Sequence, residues 1–159
     1  IIMAIDYAKG LSDNPIIQVV SGTNTTQSST GSSTFQNGYA LNITPHHSSN
    51  KIIVMGTAVI SMGGGSTMGG IIRVVRQVSG QSDVNVTGTG NYGHYFSGAT
   101  YYDMDLAGKG FIFLDAPGTT NSVTYTEQFR TEHHTVYYNQ KKYANRPAKA
   151  SFVLVEIVA

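Results

Sequence analysis

The chain has 159 residues, a formal net charge of +1 at pH 7 and no cysteine, and charged side chains make up only 12% of it. A chain of that length buries roughly 70% of its unfolded surface as one domain. Near-neutrality excludes the long-range field that gathers nucleic acid or an anionic bilayer, the lack of cysteine excludes disulfides and thiolate chemistry, and no apolar run reaches the ~18 residues that would insert in a membrane as a helix.

Residues 1–14 read as a leader or linker: Ile1-Ile2-Met3-Ala4-Ile5-Asp6 lacks the basic flank and cleavage pattern of a signal peptide, and Asp13-Asn14-Pro15 closes the stretch with a turn signal. The first residue being Ile is compatible with a longer chain or with a start at Met3. From Ile16 onward, short β-branched runs are punctuated by Gly, Asn, Ser and Thr. They predict strands at Ile16–Val20, Tyr39–Thr44, Lys51–Met62, Gly70–Val78, Asp83–Thr87, Phe111–Leu114, Ser122–Glu132, Thr135–Asn139 and Ala150–Val158. The polar stretch Thr23–Ser33 is expected to be a loop or an edge strand, and Gly88–Gly110 a long connection. Gly63-Gly64-Gly65 and Gly69-Gly70 break two strong strand signals. Alternation in Ser122–Glu132 predicts a half-solvated strand, whereas Ala150–Val158 is apolar on both faces and should be central. No segment has helical periodicity. The expected fold is all-β, an antiparallel, jelly-roll-like β-sandwich of about eight to nine strands over residues 15–159.

Five ordered segments carry a family resemblance. They are Ile16-Ile17-Gln18-Val19-Val20; Leu41-Asn42-Ile43-Thr44-Pro45 with Lys51-Ile52-Ile53-Val54-Met55; Phe113-Leu114-Asp115-Ala116-Pro117-Gly118-Thr119-Thr120; Val136-Tyr137-Tyr138-Asn139; and Ala150-Ser151-Phe152-Val153-Leu154-Val155-Glu156-Ile157-Val158-Ala159. In this order the chain resembles the carboxy-terminal β-sandwich, or knob, of bacteriophage tail-fibre and other virion structural proteins of marine and cyanobacterial phages. The resemblance implies a homotrimer on the exterior of a virion, in contact with other virion proteins, and it transfers no catalytic residue. Gly88–Gly110 and Gln140–Lys149 depart from the pattern, so specificity for a host-surface glycan or protein is expected to reside there.

Tyr92, His94, Tyr95, Tyr101, Tyr102 and Asp103 form a Tyr-, Gly- and Ser-rich segment suited to recognising protein or sugar, because Tyr offers flat apolar area with a polar tip. The plainer reading packs the same rings over a sandwich edge or a neighbouring subunit. Tyr138, Lys141, Lys142, Tyr143 and Arg146 make a second patch, for acidic surface glycans or simply a solvated basic turn. His46-His47 and His133-His134 point to opposite faces of a strand and do not chelate one metal from within it. Asp103 and Asp105 lack the spacing of a calcium loop. Gly88-Thr89-Gly90-Asn91-Tyr92-Gly93 spells a dinucleotide fingerprint without the helix that would make it work. No nucleophile elbow or outstanding carboxylate pair is present. The sequence therefore predicts no cofactor, no metal and no catalysis. The expected function is host attachment by the distal knob of a fibre; the alternatives are a purely structural head-fibre, decoration or collar protein, and a carbohydrate-active depolymerase.

Overall fold

A computed structural model describes residues 15–63, 68–88, 94–98, 104–140 and 148–159, and every regular element among them is a β-strand. In chain order these are β1 (Ile16–Asn24), β2 (Ser28–Thr30), β3 (Gln36–Ile43), β4 (Lys51–Gly63), β5 (Met68–Val78), β6 (Val84–Asn85), β7 (His94–Gly98), β8 (Met104–Asp115), β9 (Val123–His133), β10 (Thr135–Tyr138) and β11 (Ala150–Ile157). The first sheet runs β1-β11-β4-β10-β2 with β8 on the other edge of β4; the second runs β3-β9-β5-β6 with β7 also on β5. Setting aside the short β2, β6 and β10, β1-β11-β4-β8 packs on β3-β9-β5-β7. Each strand of one four-stranded sheet is followed in the chain by a strand of the other or a return to its partner, which is the nested wiring of a jelly roll.

β4 organises the first sheet. It pairs with β8 from Ile52 to Met62 along one edge, while its other edge is shared by β11 over residues 51–57 and β10 over residues 60–63. Its even positions Ile52, Val54, Ala58, Ile60 and Met62 are fully buried between the sheets. Opposite them lie Ile72, Val74 and Val78 of β5 and Val123, Tyr125 and Phe129 of β9. Phe152 on β11 sits among aromatics, 5.4 Å from Phe111 edge-on and 5.7 Å from Tyr39, and Phe129 stacks on Tyr138 at 5.1 Å. Gly56 takes an inward position where a Cβ would collide with the Phe111 ring and the Ser151 carbonyl, so the missing side chain is what admits that ring. The chain leaves β8 through Asp115-Ala116-Pro117-Gly118, and Gly118 there has φ 67°, a conformation glycine reaches without strain.

The long connection expected at 88–110 is corrected: it contains β7, paired with Met68–Ile72, and the first half of β8, paired with β4. These segments carry too few β-branched residues to announce themselves, and the register with β4 and β5 draws them into the sheets. β9 is likewise not half-solvated, because Thr126 and Gln128 on its outer side are 3% and 8% exposed. A layer of polar side chains on that face covers them. β11 is central, between β1 and β4, as its two apolar faces predicted. Thr23–Ser33 divides between the end of β1 and the edge strand β2, and residues 1–14 lie outside the described residues.

Candidate assembly face

The two sheets treat their outer faces differently. On the second sheet, Arg73 Nε donates to Gln128 Oε1 at 2.9 Å, Gln128 Nε2 to Asn37 Oδ1 at 2.8 Å and Thr126 Oγ1 to Gln77 Oε1 at 2.8 Å. That face is clothed in its own polar side chains. On the first sheet the antiparallel register lines up Val19, Val155, Ile53 and Leu114 across β1, β11, β4 and β8. Ser21, Val153, Met55 and Ile112 form the next row. Ile112 is 71% exposed, Val19 57% and Leu114 54%. Beyond these rows lies a shallow depression between Met55, Ile112 and Val153 and a polar row where the Thr57 and Ser151 hydroxyls bond at 2.9 Å. Strands about 4.8 Å apart and rows about 6.7 Å apart make an apolar patch of a few hundred Å², the ordinary size of the largest patch on a single chain, which is often a functional one.

One end of this sheet is locked by a buried carboxylate. Glu156 on β11 points inward with no exposed surface and accepts four hydrogen bonds. The donors are Gln18 Nε2 of β1, the His46 backbone N–H and Asn50 Nδ2, each at 2.7 Å, and His46 Nδ1 at 2.9 Å. Burial alone would raise this carboxyl, but the bonds from Asn50, His46 and Gln18 outweigh it and bring its pKa down to about 2. His46 thus ties the β3–β4 connection to β11, with its exposed ring held at one nitrogen. The His47 ring lies against the Ser49 hydroxyl, its Nδ1 at 2.9 Å. Among the described residues no group of three or more His, Cys, Asp or Glu side chains converges as a metal would require.

Two further polar links join the layers. Asp115, at the end of β8, receives Arg76 Nη1 at 2.8 Å and the Tyr125 hydroxyl at 2.7 Å, both from the second sheet. Burial and that bond to Asp115 raise the Tyr125 hydroxyl pKa. Glu127, buried on β9, accepts a hydrogen bond from the Tyr138 hydroxyl, which in turn accepts the Tyr39 backbone N–H at 3.0 Å. The second oxygen of Glu127 has no partner, and burial pushes this carboxyl up to about 8.

Tyr138 therefore corrects the second sequence-predicted patch: it is 1% exposed, stacked in the core and bonded to Glu127, because its register opposite Ile60 turns it inward. Lys141, Lys142, Tyr143 and Arg146 lie outside the described residues, as do Tyr92, Tyr101, Tyr102 and Asp103 of the first. His94 and Tyr95 belong to β7, where they pair with Ile72 and Ile71. The outward residues Ile53, Ile112 and Leu114, from two neighbouring rows, were not singled out from the sequence; the unbroken apolar runs 52–55, 111–114 and 152–155 were their visible trace. Searches against models of protein families and against curated proteins find no match for this chain.

Proposed function

We propose that the chain is a self-associating structural and adhesive module of a virion fibre, a knob that packs the outer face of its first sheet against sister chains, as a trimer, and presents its loops to a host surface. The observation that supports this reading most is the apolar outer face of the first sheet, beside a second sheet that covers its own with polar side chains. Such a face loses its contact with water when copies meet, at about 25 cal/mol per Å². Around a closed symmetry axis every copy contributes the same face. Jelly-roll wiring is shared by viral capsid and lectin domains, although fold alone assigns no function, and the fibre context rests on the ordered segment resemblance.

Mass in solution tests assembly first. Sedimentation equilibrium of the wild type is expected to give a closed oligomer, and Ile112→Asp with Leu114→Asp a folded monomer. A monodisperse wild-type monomer contradicts the assembly reading. Adsorption to host cells tests the adhesive half: Tyr95→Ala or Tyr102→Ala is expected to abolish it while the oligomer persists, and unchanged adsorption moves the assignment to a purely structural head-fibre, decoration or collar role. Polysaccharide cleavage by purified protein, lost on acid-to-amide substitution, would instead establish a depolymerase.

A further inference from the structure

We propose that the outer face of the second sheet carries an oxyanion site, built from Arg73 and Arg130 on the ring of Phe35, that takes a carboxylate or sulfate group; the assignment of that group to an acidic polysaccharide rests on the host-attachment reading above. Neighbouring strands set the pair: Arg73 lies opposite Gln128 on β9, two residues from Arg130, so both side chains leave the same face. The Arg73 guanidinium carbon stands 3.7 Å from the Phe35 ring centroid and that of Arg130 stands 5.0 Å from it. One aromatic face thus orients two cations. The segment carrying Phe35 is itself pinned, since Thr131 N–H donates to the Ser32 carbonyl at 3.1 Å and Arg130 Nη1 to that of Ser33 at 3.0 Å.

The hydrogen-bonding capacity left over is what points to a ligand. Arg73 uses only its Nε, on the neutral Gln128 amide; its two terminal amino groups bond nothing among the described residues. Arg130 gives one terminal amino group to Ser33 and the other to Glu132 at 2.6 Å, while its Nε is buried without an acceptor. Two carboxylates compete locally: Glu132 on Arg130, and Asp83, which is held by Gln77 Nε2 at 2.9 Å and acts on Arg73 from a distance. Burial, and then the neighbouring Arg130, depress the Arg73 pKa, the electrostatic mark of a cation without a direct counter-ion. An oxyanion meeting the free edge of Arg73 supplies the missing charge and a planar fork of acceptors for a planar fork of donors. This site is independent of the assembly face, since it lies on the other sheet.

Calorimetric titration of the intact protein with sodium sulfate and with an oligogalacturonate tests it. Both probes are expected to bind wild type, Arg73→Gln to weaken binding about tenfold, and Glu132→Gln to tighten it by freeing Arg130. Arg73→Lys, which keeps the charge and loses the fork, is expected to lie between, and serves as the readout should Arg73→Gln fail to fold. Binding by Arg73→Gln within about twofold of wild type, equal binding by Arg73→Lys, or no sulfate binding by wild type at tens of millimolar overturns the site. Sulfate binding without oligogalacturonate binding overturns the polysaccharide assignment. The sedimentation behaviour of Arg73→Gln is expected to match wild type, which separates failure here from failure of the assembly reading.

Discussion

Replacing Glu127 with Gln should remove a pH dependence that the fold itself creates. The carboxyl is fully buried between Tyr138 and the core, with one oxygen unpartnered, and burial raises its pKa from 4.5 to about 8. In the unfolded chain it ionises at the ordinary value. A folded-state pKa above the unfolded one gives stability that is fully present below pH 4.5 and is lost as pH rises through about 8. At about 1.4 kcal/mol per pKa unit, the whole swing is worth roughly 5 kcal/mol, of which roughly 3 are gone by pH 7. Gln keeps the shape and an oxygen for the Tyr138 hydroxyl but does not titrate. Urea unfolding at fixed protein concentration, from pH 5 to pH 9, should show wild-type midpoints falling and Glu127→Gln midpoints nearly level, with the two proteins close at pH 5 and the variant ahead by a few kcal/mol at pH 9. Parallel curves for the two proteins would refute the buried-carboxyl argument.

Glu156 should behave in the opposite sense. Its pKa is lowered from 4.5 to about 2, so its contribution is present above pH 4.5 and is lost as pH falls through about 2. Glu156→Gln, which turns an NH₂ toward the two donors on one of the carboxylate oxygens, should cost roughly 3 kcal/mol or more at pH 7, and acid unfolding followed by circular dichroism should lose its steep limb below pH 4.5 in the variant. Phe152→Ala removes the ring between Tyr39 and Phe111 and should cost about 3–5 kcal/mol in chemical denaturation. Gly56→Val places a branched side chain against Phe111 and the Ser151 carbonyl; it should lower the melting temperature far more than Gly31→Val, whose site is open.

Local chemistry determined what could be read in advance. The alternation of Ile52, Val54 and Ile60 marks a strand wherever it is met, as does the two-faced run around Val153 and Leu154, and Asp115-Ala116-Pro117-Gly118 marks a turn because Pro sets φ and Gly accepts the positive value at residue 118. These preferences act within a few residues, so the all-β class and the central place of β11 followed from them. β7 and the start of β8 escaped because they hold no β-branched residue and their Gly, Ser, Asp and Lys dilute the signal of Tyr95, Phe96 and Leu106, so pairing with β5 and β4 is what reveals them as strands.

The site belongs to the other category. Nothing local distinguishes Tyr138 from Tyr137; pairing of Tyr138 with Ile60 and of Val136 with Met62 decides which ring enters the core and meets Glu127. Glu156 and His46 are 110 residues apart, and the outward row of Val19, Val155, Ile53 and Leu114 draws on four strands spread over the chain. The sequence by itself determined where strands form, since backbone preference and side-chain alternation are properties of neighbours along the chain. Only the tertiary structure decided which buried carboxylate is charged, which face stays apolar and which arginines share a ring, because register and burial are set by strands that meet in space.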